Sequence, residues 1–573
     1  VTINPVRSAC ARLALSRAKH RSLHGHPRLA LRIARWVRSY SFDENEFFAS
    51  DGAPPEIQRC RRAGFHRLAG LFRSRFPKTI ALTEALEAGV SDLAFVNAHR
   101  VPFQYQDYVR RYLRTGSIVE ETEGPRVRDA DGNWSYDLGG SYGVNLFGAD
   151  FYKRCIDQGV ERARRLGLVL GPYHPVIADN VARLKQISGL DEVSFHMSGT
   201  EAVMQAVRLA QYHTKRAGIV RFSGAYHGWW DGVQAGIGNP VRRRHVYTLK
   251  EMSSDTLRVL RTRDDIACVL VNPIQAMHPN ALPATDAALI ASDRSAAFDK
   301  SSYASWLQDL RAVCTDRGIV LIFDEVFLGF RLAHGGAQEY FGVKADIVTY
   351  GKSLGGGLPV GVVCGKSRFM RRYNDSRPLD ICFARGTFNS HPYVMSTMNE
   401  FLRYLDEPDV RAAYENLDDL WSARSLSLNN WLERLALPVR VANMTSVWTT
   451  LYTQPSRYNW MFQYYLRAEG LSMSWIGTGR FIFSHDLKVA EFREIAARFV
   501  AAAQAMADDA WWWNDAALTN KSIKRRVLKE VLTATIRSLT RRVPSGPSTD
   551  LASARPAPCG TSSRRETGPS GSW

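Results

Sequence analysis

Two runs decide how this chain folds: Ile319-Val320-Leu321-Ile322-Phe323-Asp324-Glu325, and Asp346-Ile347-Val348-Thr349-Tyr350-Gly351-Lys352-Ser353-Leu354-Gly355-Gly356-Gly357-Leu358-Pro359. Each is a short, β-branched apolar stretch that stops at a charged side chain and turn-forming residues, the pattern of a fully buried parallel strand. Such a strand carries its last side chain to the carboxyl edge of the sheet, where open α/β sheets bind ligands. A carboxylate delivered there from an apolar run, Asp324, needs a cationic partner. A lysine delivered beside a glycine-rich loop, Lys352, has room for a flat ligand to approach. Desolvation at that position lowers the pKa of the amine and leaves it nucleophilic.

Outward from these runs the same rhythm continues. Between about 150 and 390, strand-like pieces at Glu192–His196, Ile219–Phe222 and Ala267–Val271 alternate with helical stretches, which predicts a mainly parallel α/β sheet. Before it, a helical region from Asp43 to Phe95 leads to Gly124–Leu138, where Asp131-Gly132 divides two strand-like pieces as a hairpin turn would. After Pro392 the chain is mainly helical, with strand-like pieces at Ser446–Tyr452 and Phe481–Ser484. The expected organisation is an α/β protein with a large sheet domain and a smaller lobe from the two flanks. Its segments are a basic extension (1–42), a helical segment with a β-meander (43–149), the large domain (150–392), a C-terminal small domain (393–510), a basic amphipathic helix (511–543) and a disordered tail (544–573).

The formal charge of +19 invites a nucleic-acid reading, but its location argues against one. Residues 1–42 hold nine Lys/Arg and no acid, and residues 517–573 hold eleven against three, so the middle is nearly neutral. Solvated basic ends account for this better than a nucleic-acid groove. The eight cysteines lie apart, with no CxxC pair, which suits a reduced, cytoplasmic compartment without disulfides. The sequence offers no apolar run long enough for a transmembrane helix, no evident cleavable signal and no metal-ligand spacing.

Two further motifs follow strands of the middle region. Ser198-Gly199-Thr200-Glu201-Ala202 opens a helix, where backbone N–H groups and the Ser198 and Thr200 hydroxyls can hold an anion. Gly224-Ala225-Tyr226-His227-Gly228 places an aromatic ring at another strand end. Taken singly, each of these signals also has an ordinary structural explanation, as a helix cap, a turn or core packing. Together they match the four demands of pyridoxal 5′-phosphate: an amine for its aldehyde, an anion beside its pyridine nitrogen, a nest for its phosphate and a flat face against its ring.

The ordered set Ser198–Ala202, Gly224–Gly228, Ile322–Val326, Gly335–Asp346, Gly351–Gly361 and Gly386–Pro392 resembles the class III (subgroup II) aminotransferases, and within them the glutamate-1-semialdehyde 2,1-aminomutase-like proteins. The resemblance covers about residues 90–510. It implies the type I fold of pyridoxal-phosphate enzymes and a homodimer with sites at the subunit interface. It also implies Lys352 as the Schiff-base lysine, Asp324 on the pyridine nitrogen, Ser198, Gly199 and Thr200 on the phosphate, Tyr226 stacked on the ring with His227 beside it, and Gln275 near the 3′ oxygen. Thr387 would reach the phosphate held by the neighbouring subunit.

Asn272-Pro273 stands where the family commonly has Glu-Pro, and Met277 falls where the aminomutase would place a polar residue, so transamination is the leading expectation. The substrates expected are a small amino donor and a carbonyl acceptor, the latter free or bound to a carrier protein. Intramolecular amino transfer is the alternative within the enzyme class, and a catalytically silent scaffold is the alternative outside it. Pro283–Ser301 and Trp229-Trp230 are expected to shape the pocket. Arg100 stands near the segment from which the aminomutases bring an arginine to the substrate.

Overall fold

The computed structural model describes residues 34–98, 100–234, 238–239, 245–274, 299–473 and 480–540. Its centre is a seven-stranded sheet whose strands run, edge to edge, Glu192–His196, Gly361–Gly365, Ile347–Gly351, Val320–Asp324, Ile266–Val271, Gly218–Phe222 and Val246–Leu249. All are parallel except Gly361–Gly365, which runs against both its neighbours. The strands Ile266–Val271, Val320–Asp324 and Ile347–Gly351 are buried throughout, which is why they read as continuous apolar runs rather than alternating ones.

The helix Gly199–Thr214 covers one face of the sheet with Ala202, Val203, Ala206, Val207, Leu209 and Ala210. The other face packs on helices that include Lys300–Arg317 and Pro392–Leu405, the latter lying against Ala149–Ala163 with Phe151 and Tyr404 rings 4.4 Å apart. Pro392 therefore begins a helix belonging to the core of the large sheet, through Met395, Met398, Phe401 and Leu402.

A second core joins the two flanks. Phe47, Phe65, Phe72 and Tyr105 from the N-terminal side pack with Trp448, Trp460, Phe499 and Trp511 from the C-terminal side. Arg61 staples it from within: fully buried, it donates to both Asp51 carboxylate oxygens at 2.9 and 2.7 Å and to the carbonyls of Phe48 and Ala510. The expected meander is present as Val119–Glu123, Arg126–Asp129 and Trp134–Asp137, with the Asp129 carboxylate accepting the Asp131 and Asn133 N–H groups across the turn. The C-terminal strand Leu471–Ser472 adds to it in parallel. The basic C-terminal segment forms the helix Asn520–Thr540.

All six described cysteines are free, and among the described residues no group of His, Cys, Asp and Glu is placed to hold a metal. No described helix is long and apolar enough to cross a membrane.

Candidate active site

The carboxyl ends of the central strands open onto a cavity of about 860 Å³. Its lining brings together Ser198, Gly199, Thr200, Tyr226, His227, Asp324 and Lys352, seven of the nine residues singled out in the sequence. Gln275, Met277 and most of Pro283–Ser301 lie outside the described residues, and Ser301 itself sits in the first turn of the helix Lys300–Arg317. Thr387 is exposed in the turn before Pro392 and does not line the cavity. Trp229 and Trp230 do not line it either: Trp229 is largely exposed and Trp230 packs against the core beneath Gly199–Thr214. Arg100 donates to Ser117 Oγ and lines a separate, smaller cavity.

Asp324 closes its strand with only 3% of its surface exposed. One carboxylate oxygen accepts the Val326 N–H and the Thr349 hydroxyl, both at 3.2 Å, and the other accepts His227 Nδ1 at 2.7 Å. That bond fixes the imidazole: Nδ1 carries the proton toward the carboxylate. Nε2 is left buried with no partner among the described residues. Neighbours hold the turn carrying His227 and Tyr226 from both sides. Arg221 donates to the Ala225 carbonyl at 2.5 Å, and Asn272 Nδ2 donates to the Tyr226 carbonyl at 3.3 Å. The amide at position 272 thus performs a task a carboxylate cannot, since only the amide is a donor. Tyr226 keeps 62% of its surface exposed, its ring side open to the cavity.

Lys352 follows immediately on the buried strand Ile347–Gly351 with φ at +48°, a left-handed conformation that costs a non-glycine residue about 1–2 kcal/mol. Burial, helped by Arg331 and opposed by Asp324, holds its ammonium below the ordinary lysine range. Its Nζ lies 5.8 Å from the centre of the Phe327 ring. An amine held below its ordinary range, lining a cavity with a buried carboxylate, is prepared to add to a carbonyl and to exchange protons.

The anion nest is the amino end of the helix Gly199–Thr214. Ser198 caps it by accepting the Glu201 N–H, while Glu201 reaches back to accept the Met197 N–H at 2.9 Å. Close approach is built in: a Cβ on Gly228, which has φ +89°, would meet Thr200 Oγ1 at 2.5 Å, and one on Gly361 would meet the Ser198 carbonyl at 2.0 Å. These two glycines let the Tyr226 turn and the antiparallel strand press against the nest. Sequence reasoning missed Tyr142, Phe327 and Arg480, which complete the lining. Arg480 begins the short strand Arg480–Ile482, and a lone arginine heading an apolar strand was the one available signal.

A buried carboxylate, an amine held below its ordinary range and a helix amino end around one cavity fit pyridoxal phosphate, and the orphaned His227 Nε2 is the kind of buried polar atom that a bound polar ligand would satisfy. The family model for class-III aminotransferases matches residues 108–484, and the chain belongs to that family, whose cofactor is pyridoxal 5′-phosphate. Among its relatives are the glutamate-1-semialdehyde 2,1-aminomutases of Geotalea daltonii and of Alkaliphilus oremlandii. The first is 30% identical over 65% of this chain and 85% of that protein, the second 35% over 56% and 74%. Among solved structures, a transaminase with the cofactor bound aligns at 27% identity, covering 69% of this chain and 92% of that one with a TM-score of 0.58. A glutamate-1-semialdehyde aminomutase from Pseudomonas aeruginosa, at 17% identity, shares the fold with a TM-score of 0.62 over 79% of this chain and 99% of its own. The protein is thus an enzyme of the type I fold, acting on small amino and carbonyl substrates.

Proposed function

We propose that this enzyme transfers an amino group from a small amino donor to a keto or aldehyde acceptor, with Lys352 as the cofactor-bearing and proton-moving residue. The observation that carries the reading is the pairing, around one cavity, of a half-buried lysine whose ammonium is disfavoured with the Asp324–His227 couple at 2.7 Å. When bound, pyridoxal phosphate supplies an electron sink for the charge that develops at the substrate α-carbon.

The remaining work falls to the chain. Asp324, held in place by His227, Thr349 and the Val326 N–H, would offer negative charge to the pyridine nitrogen and favour its protonated form. Ser198, Gly199 and Thr200 would offer hydroxyl and N–H donors to the phosphate, Tyr226 would offer its ring as a flat face, and Gln275 would serve the 3′ oxygen. With its ammonium disfavoured by burial, Lys352 would be the residue able to carry a proton from the substrate α-carbon. Arg480, which also lines the cavity, would be the guanidinium nearest to hand for a substrate carboxylate, which favours amino and keto acids as substrates. Thr387, exposed and away from its own cavity, suits donation to a second subunit, so the working unit we propose is a homodimer. A cytoplasmic location and free or carrier-bound acceptors belong to the same proposal.

Lys352→Ala tests it. The wild-type protein is expected to bind pyridoxal phosphate in a form that borohydride fixes to Lys352, and to convert 2-oxoglutarate or pyruvate to the amino acid with an added donor. The variant should keep cofactor affinity through the phosphate nest yet lose at least about 10³-fold in turnover. Wild-type protein that takes up no cofactor would leave the motifs without their chemistry and favour a scaffold. A second reading, intramolecular amino transfer, is supported by the names of the relatives at 30–35% identity. Turnover of glutamate-1-semialdehyde without an added acceptor, and without release of a keto product, would select it instead.

A further inference from the structure

The helix Asn520–Thr540 carries apolar residues on its outer as well as its inner side. Its inner face is fastened by polar groups: Arg526 donates to the Ser50 carbonyl at 2.8 Å, and Glu530 accepts from Arg457 at 2.6 and 2.8 Å and from the Tyr40 hydroxyl at 2.9 Å. Ile523, 4% exposed, is buried on that side, with Val527 and Val531 half-buried beside it. The opposite face carries Leu528, Leu532 and Ile536, exposed to 59%, 53% and 59%. Spaced by four, they form a ridge drifting only about 40° per step around the helix axis, centred away from Arg526 and Glu530. Trp36, 76% exposed, stands beside the helix, its carbonyl accepting the Thr535 hydroxyl at 3.1 Å.

Cations flank this ridge. Lys521, Arg525 and Lys529 are exposed on the same side of the helix, with Arg35 and Arg38 beside Trp36. Glu530, committed to the inner face, is the single acid between residues 517 and 540, and the sequence continues with Arg541-Arg542. A row of leucine and isoleucine with a tryptophan, bordered by lysine and arginine and free of outward acids, is complementary to one surface in both polarity and charge. That surface is an anionic lipid bilayer, whose headgroup region accepts apolar side chains and tryptophan while its phosphates meet the cations.

We propose that the Trp36–Leu528–Leu532–Ile536 face docks this enzyme onto anionic membrane surfaces. The helix lies in the plane of the interface. The docking is independent of which amino-transfer reaction the cavity performs.

Co-sedimentation of the full-length holoenzyme with phosphatidylcholine vesicles, with and without phosphatidylglycerol, tests the proposal. The wild type is expected to sediment with the anionic vesicles only, and less as salt is raised. A triple variant, Leu528→Ser with Leu532→Ser and Ile536→Ser, and a charge variant, Lys521→Glu with Arg525→Glu, should each lower the partition coefficient at least about tenfold. Equal binding to neutral and anionic vesicles, binding to neither, or sedimentation untouched by both variants would overturn it. So would light scattering in which the triple variant turns a dimer into a monomer, since the ridge would then be a contact between copies of this chain.

Discussion

His227 shows how much one side chain decides. Its Nδ1–H bond to Asp324 is charge-assisted and buried, a class worth about 1.5–3 kcal/mol, and removing it leaves the carboxylate with only two weaker donors at 3.2 Å. His227→Ala is therefore expected to lower kcat by about ten- to a hundredfold, with a smaller change in cofactor affinity, because the phosphate nest is untouched. Asp324→Asn should cost more, since it removes the charge itself. Paired measurement of kcat and of the pyridoxal phosphate dissociation constant checks both. Equal losses in the two constants for His227→Ala would mean that the ring serves only to seat the cofactor. At this scale the sequence was highly legible: Lys352, Asp324 and the nest stand at strand ends and a helix start, positions that hydrophobic patterning exposes. Arg480 was not, because nothing in the pattern of its own short strand says what it faces.

At the scale of elements, Arg331 ties together segments that line the cavity. Fully buried, it donates to the carbonyls of Phe483 at 2.7 Å, Asn145 at 2.9 Å and Gly143 at 3.3 Å and to Ser446 Oγ at 3.1 Å. These acceptors flank Tyr142, Val144 and the strand Arg480–Ile482, all of which line the cavity. Arg331→Met keeps the side-chain bulk but strands several buried acceptors, each costing about 1–3 kcal/mol. The expected result is a lower unfolding midpoint and a raised KM, with turnover at saturating substrate falling less. A variant with lowered kcat and unchanged KM would place Arg331 in the chemistry through its effect on Lys352 instead. The strands of the large sheet were readable because they are buried on both faces. The antiparallel Gly361–Gly365 strand was not, since its run of glycine and valine continues the Lys352 loop and only the pairing partner reveals it. The shared core of the two flanks was equally hidden, because local patterning says nothing about contacts between residue 47 and residue 511.

For the whole molecule, two buried carboxylates set a dependence of stability on pH. Burial pushes Glu251 up to about 8, with the Tyr303 hydroxyl donating to one oxygen and partly offsetting the rise. Burial likewise pushes Glu325 up to about 8, against the N–H groups of Ala337 and Gln338 and reinforced by Asp324. In the unfolded chain both groups return to the ordinary value of 4.5. Between those limits the folded state binds protons that the unfolded state has released, so stability is fully present below about 4.5, falls as pH rises, and levels off above about 8. The slope approaches about 1.4 kcal/mol per pH unit for each group. Glutamine keeps the shape without the titration, so the wild type should lose stability relative to Glu251→Gln/Glu325→Gln as pH is raised from 5 to about 8. Urea unfolding of both proteins at saturating cofactor measures that difference. A gap that does not change with pH would mean that the folded protein already holds these carboxylates ionised at the acid end, paired more strongly than Tyr303, Ala337 and Gln338 can account for.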